Sequence, residues 1–177
     1  MSAGHHVLVV PVPELEGFVR GRWHHHAPAW VASDPAFTHA HVTALAPFTA
    51  AWARRSGPPA PERLAAVAAV TAPFDFTLAE VAAFPNGCLH LPPEPSGPFT
   101  ALTDRLVATY PGTVPYGGRY DAVPHLTLDH EAPGITLDST RAALGDLLPV
   151  TCRAERLELH WYEEGNCHVR GTWPLGG

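Results

Sequence analysis

His41-Val42-Thr43-Ala44 (HVTA) and His125-Leu126-Thr127-Leu128 (HLTL) carry one pattern twice: histidine, apolar, threonine, apolar. The residue types in both copies predict a strand. Along a strand, residues i and i+2 point to the same side. His41 and Thr43 therefore share a face while Val42 packs behind them, and His125 and Thr127 stand in the same way in front of Leu126. Two such strands brought together converge two imidazoles and two hydroxyls on one cleft. A pattern this short arises by chance in a chain with 12 His. Its weight comes from the apolar second and fourth positions and from each copy preceding a loop and a helix.

Outward from these strands, residues 5–12 (HHVLVVPV) read as a buried strand and residues 13–23 as a short helix opened by Pro and acids. Residues 24–39 are rich in Pro and His and read as loop, the run His24-His25-His26 included. A Gly-Pro-Pro-rich loop at 56–61 leads into a helix over 62–71. Residues 74–84 alternate as a strand, and Asn86-Gly87 predicts a two-residue hairpin returning through residues 88–91. A helix over 98–110, a loop at Tyr116-Gly117-Gly118-Arg119 and the second motif strand follow. Asp138 is placed to cap a helix running to Leu148. A strand over 153–163 then turns at Glu164-Gly165-Asn166 and returns to Trp173. Helices interleaved with hairpins predict an α+β fold, mainly antiparallel, with helices outside. No low-complexity linker divides the chain, so residues 1–177 are expected to form one domain.

Composition narrows the function. With 46% hydrophobic and 16% charged residues, the chain has material for a core and is not a disordered polymer. No apolar run approaches the ~18–20 residues of a membrane span, and the first residues lack the basic region of a signal peptide. A cytoplasmic monomer with no membrane contact is the expectation. The basic complement of 11 is entirely Arg, which removes Schiff-base and P-loop lysine chemistry. A net charge of −6 without a basic cluster argues against gripping a long duplex nucleic acid, while a small nucleotide or an RNA end remains suitable. Cys88, Cys152 and Cys167 show no paired spacing and read as reduced, buried thiols.

Two histidines, one neutral and one protonated near neutrality, supply the base and the acid that phosphodiester cleavage needs. Threonine hydroxyls donate to the non-bridging oxygens where charge accumulates. His41 and His125 are thus the candidate catalytic pair and Thr43 and Thr127 the candidate phosphate ligands, with no metal or other cofactor required. Tyr116 is a candidate platform for a base, and Arg119 is the nearest cation in sequence to the second motif. His39 and His160 are candidates to line the same cleft. The His24–His26 run lacks the carboxylate or thiolate spacing of a metal site.

The segment HVTALAPF (41–48) together with PHLTL (124–128) resembles the paired signatures of the two-histidine (2H) phosphoesterase superfamily, in the manner of actinobacterial 2′-5′ RNA ligase family proteins. Its branches include bacterial 2′-5′ RNA ligases and 2′,3′-cyclic nucleotide phosphodiesterases. The opening strand, the Tyr116-Gly117-Gly118 loop and a last strand ending Trp173-Pro174-Leu175-Gly176 extend the resemblance over nearly the whole chain. It implies a bilobal fold: two pseudo-twofold-related, mainly antiparallel sheets around a central cleft, with intertwined lobes and one motif in each. It implies that His41 and His125 are the acid/base pair and that Thr43 and Thr127 hold the phosphate. His130 stands where ligase-like members often carry a basic residue such as Arg, which implies a substrate-binding role with a weaker, pH-dependent grip. The implied activity is metal-independent hydrolysis or transfer at a 2′,3′-cyclic phosphate, a 2′-5′ linkage or a similar small phosphodiester. The alternative is a non-catalytic module that binds nucleotides or RNA ends in the same cleft.

Overall fold

A computed structural model describes residues 4–48 and 60–177, so most of the expected 56–61 loop lies outside the described residues. Seven strands form one antiparallel sheet, and three form a second. The central strand β1 (His5–Pro11) is buried at every position but its first. Its run of β-branched and apolar residues suits a strand covered on both faces. Leu8 and Val10 join the main core. Val7 and Val9 join a smaller one with Ala32, Phe37, Tyr162 and Cys167.

Beside β1 lies β2 (His41–Leu45), and beside that β7 (Leu126–His130). Both motif strands are thus neighbours in the larger sheet, paired antiparallel with Val42 opposite Leu126. Val42, Ala44, Leu126 and Leu128 point into the main core. Alternation then turns His41, Thr43, His125 and Thr127 to the other side. The strands β10 (His168–Pro174) and β9 (Arg156–Tyr162) extend the sheet on the first motif's side. On the second motif's side stand β5 (Cys88–Leu91) and β4 (Ala82–Ala83). The smaller sheet is β6 (Pro93–Glu94), β3 (Phe74–Leu78) and β8 (Val150–Ala154).

Four α-helices pack around the sheets among the described residues: α1 (Glu16–His26), α2 (Ala60–Ala69), α3 (Gly97–Thr109) and α4 (Leu137–Leu144). Helix α3 buries Phe99, Leu102 and Leu106, and its Thr103 hydroxyl donates to the Ala44 carbonyl at 2.8 Å, fastening it to β2. None of the described helices is long and apolar enough to cross a membrane.

Several local expectations are corrected. His24, His25 and His26 form the last turn of α1 rather than a loop. Imidazoles are well placed there beside the negative end of the helix dipole, and the His26 Nδ1 bonds the Arg22 carbonyl at 3.2 Å. The β4–β5 hairpin has a three-residue loop. The Phe84 N–H donates to the Cys88 carbonyl and the Gly87 N–H to the Phe84 carbonyl, each at 2.9 Å. Pro85 leads the turn, and Gly87 takes the left-handed position at φ +83°, where a side chain is disfavoured. Thr136 rather than Asp138 caps α4, in a reciprocal pair with Ser139. The expected strand over 153–163 is divided between β8 and β9, which belong to different sheets.

Helix α1 buries few side chains, so its attachment is polar. The Glu16 carboxylate accepts from the Ala40 N–H at 2.8 Å and bonds the His39 Nδ1 at 2.7 Å. The His39 Nε2 accepts from the Ala32 N–H at 3.1 Å, which fixes the proton of the neutral ring on Nδ1. This network ties α1 to the residues preceding His41. Glu16→Ala is expected to lower unfolding stability by about 1–3 kcal/mol, because it strands two donors away from water. Denaturant titration should show a lower midpoint with an unchanged slope.

Candidate active site

The sheet face opposite the main core gathers the candidate groups. His125 immediately precedes β7, and its Nδ1 lies 2.7 Å from the Val123 carbonyl. A carbonyl only accepts, so Nδ1 carries the proton of the neutral ring and Nε2 is its unprotonated nitrogen. Burial lowers the His125 imidazole from its ordinary value and nearby His90 pushes the same way, while the Val123 carbonyl opposes them. Phe84 meets the His125 ring edge-on at 4.9 Å, and His90 meets it at 5.5 Å. His90 itself stacks on Phe84 at 3.8 Å and donates from Nδ1 to the Cys88 carbonyl at 3.2 Å.

His41, at the start of β2, is the more strongly perturbed of the two. Burial drives its imidazole down to about 3, with the charge of His160 acting in the same direction and the backbone at Thr38 and His39 against it. The His160 ring meets His41 edge-on at 5.9 Å. The His160 Nε2 bonds Glu158 at 2.8 Å, and the Arg156 Nε donates to the same carboxylate at 2.7 Å. Burial raises the Glu158 carboxyl, but the bonds and charges of His160 and Arg156 outweigh it and hold it below the ordinary carboxylate value.

Tyr116 links the two motifs. Its phenol meets the Thr43 hydroxyl, its N–H donates to the Ala46 carbonyl at 2.6 Å, and its ring lies 6.5 Å from that of His125. Burial raises the phenol, while the bond to Thr43 acts the other way. Tyr116 has φ +52°, a left-handed conformation that is costly for a bulky side chain and that recurs at functional sites. Thr127 lies on the second motif's side, its hydroxyl 3.8 Å from the Cys88 thiol.

A cavity of about 610 Å³ opens over the second motif, lined by His125, His130, Tyr116, Arg119, Phe84 and Asn86 among others. The sequence-derived candidates His125, His130, Tyr116 and Arg119 therefore meet around one space, and Tyr116 carries the contact onward to Thr43. His41 is not among the residues lining this cavity and packs instead against His160. His39 is buried in the α1 attachment and His160 in the Glu158 pair, so both stand behind His41 and neither lines this cavity. Sequence reasoning does not single out His90. Its signal lies in Cys88-Leu89-His90-Leu91, where alternation puts Cys88 and His90 on one face. Among the described residues, no three His, Cys, Asp or Glu side chains are grouped to hold a metal ion.

A family model described as the 2′-5′ RNA ligase superfamily matches residues 11–166 of this chain. No curated protein matches it. Solved structures do. Escherichia coli LigT complexed with 3′-AMP is 15% identical with a TM-score of 0.58, the match covering 99% of this chain and 100% of that one. TT0787 of Thermus thermophilus is 19% identical with a TM-score of 0.59, over 98% of each chain. E. coli LigT complexed with NADP+ is 16% identical with a TM-score of 0.53, over 99% of this chain and 100% of that one. At these identities the likeness is one of fold.

Histidine-resolved NMR titration checks the electrostatics. A lowered imidazole stays neutral to lower pH, so His41 is expected to remain neutral down to about 3. His125 is expected to protonate at a pH below 6.5 but before His41 does. The neutral His125 ring should report its proton on Nδ1.

Proposed function

Since this chain belongs to the 2′-5′ RNA ligase superfamily, we propose that it is a metal-independent phosphoesterase in which His41 and His125 are the acid/base pair. Its substrate is a 2′,3′-cyclic phosphate, a 2′-5′ linkage or a similar small nucleotide or RNA-end phosphodiester. The observation that carries this reading is the pairing of β2 with β7, which turns two His-x-Thr motifs to one face, where His125 lines a cavity of about 610 Å³. That volume lies within the range of small-molecule sites.

One imidazole takes the proton of the attacking oxygen and the other gives a proton to the departing oxygen, each step worth roughly 10²–10⁴ in rate. Thr43 and Thr127 donate to the non-bridging oxygens as charge grows on them. Arg119 supplies positive charge at the cavity, and His130 adds more when protonated. The net charge of −6 favours a small phosphodiester over a long nucleic acid.

A product-resolved panel of 2′,3′-cyclic nucleotides, 2′-5′ dinucleotides and cyclic oligonucleotides tests the reading. His41→Ala and His125→Ala should each lower turnover about 10²–10⁴-fold, and EDTA should leave it unchanged. Because both imidazoles are lowered, kcat/KM should follow a bell centred on the acid side of 6.5, falling as pH rises through the value of His125. Near-wild-type turnover by either variant on every accepted substrate overturns the two-histidine mechanism. Tight binding of a cyclic phosphate without product would identify a binding module instead.

A further inference from the structure

The two motif histidines are alike in sequence and unlike in what stands behind them. His125 is oriented by one main-chain carbonyl and opens onto the cavity. His41 is backed by a chain of side chains that runs from partly exposed Arg156 to buried Glu158 and His160: Arg156 on Glu158, Glu158 on His160, and the His160 ring edge-on against the His41 ring. His160 has no measurable exposure. Phe37 covers it at 4.2 Å, and the Glu158 carboxylate holds its Nε2. It therefore has little freedom to turn, and His41 packs against a fixed wall.

Resting on the acid/base reading above, we propose that His160, clamped by Glu158 and Arg156, is a positioning residue that backs the His41 imidazole and adds to its burial in favouring the neutral, proton-accepting form, with His41 as the general base and His125 as the general acid. The His160 ring is bonded to the buried Glu158 carboxylate, and positive charge at His160 disfavours a cation on His41. Among the described residues, none of the groups acting on His41 is a carboxylate. The segment before β2 brings His39, whose Nδ1 is already bonded to Glu16 of α1. Strand β1 places Pro11 opposite His41. Asp34 lies on the His160 side, where it accepts from the Val169 N–H at 2.9 Å.

The roles follow for a cyclic phosphate. A water oxygen bonds to phosphorus as the bond from phosphorus to one ribose oxygen breaks. The water proton passes to Nε2 of neutral His41, and the proton on Nε2 of His125 passes to the departing oxygen. The product is a phosphomonoester, and exchange with solvent returns both rings to their starting forms.

His160→Phe keeps an aromatic wall against Phe37 and removes the charge. In histidine-resolved NMR on the full chain, the His41 titration should move up by about one pH unit, while that of His125 stays in place. The acid limb of kcat/KM should move up with it, and the alkaline limb should not. His160→Gln, which keeps a polar bond to Glu158 without the charge, should shift His41 in the same direction and serves if the phenylalanine variant does not fold. A residue with a merely structural role would lower amplitude without moving one limb alone. An unmoved His41 titration in a folded variant overturns the positioning role, whether or not any phosphodiester is turned over. An accepted aryl phosphodiester with a nitrophenol leaving group tests the assignment, because that leaving group needs no proton. His125→Ala should recover most of the wild-type rate on it and His41→Ala should not, and the reverse result overturns the assignment. Failure of every phosphodiester in the panel, with the NMR shift intact, would remove the proposed function and leave the coupling standing.

Discussion

One register holds this site together, the pairing of Val42 with Leu126 between β2 and β7. Side chains on a strand alternate, so a slip of one residue in either strand would drive a histidine and a threonine into the main core and expose its apolar residues. Val42, Leu126 and Leu128 are fully buried there, and their loss from the core would cost several kcal/mol in total at about 1.5–3 kcal/mol for each side chain. Helix α3 reinforces the arrangement from behind, through Thr103 on the Ala44 carbonyl. The polar face is therefore positioned by the apolar one, and the chemistry inherits the precision of the packing.

Much of this was legible locally. The two His-x-Thr patterns, the buried run of β1 and the helical spacing of Phe99, Leu102 and Leu106 depend on neighbours in sequence, and the structure has them in those places. What local pattern could not supply was which polar residues are covered from a distance. Glu158, His160 and Tyr162 alternate with Leu157, Leu159 and Trp161, the pattern of a strand with one wet face. Phe37, more than a hundred positions earlier in the chain, closes over that face and buries it. His39 was hidden for the same reason, since its partner Glu16 belongs to α1. His90 reached the site only because β5 pairs with β7, a contact no short window contains.

The two halves of the site are built from different materials. Around His125 the support is main chain and aromatic surface: the Val123 carbonyl, Phe84 and the stacked His90. Around His41 it is a line of ionisable groups, buried at His160 and Glu158 and partly exposed at Arg156. A main-chain carbonyl orients a ring without adding a titrating charge, whereas a buried ionisable partner also biases whether the ring carries a proton. A symmetric pair of motifs is thereby given an electrostatic direction by groups outside both of them.

Tyr116 sits where those halves meet, its phenol on Thr43 and its N–H on the Ala46 carbonyl. The Thr43 hydroxyl thus already has a partner inside the protein. A phosphate that takes up that hydroxyl does so by exchange, with the phenol as an internal competitor, and the affinity it gains is the difference between two bonds. With Thr43 in its proposed role, such a site would discriminate against ligands that offer its hydroxyl nothing better than a neutral one, a standard that the negatively charged oxygens of a phosphodiester would meet where water does not.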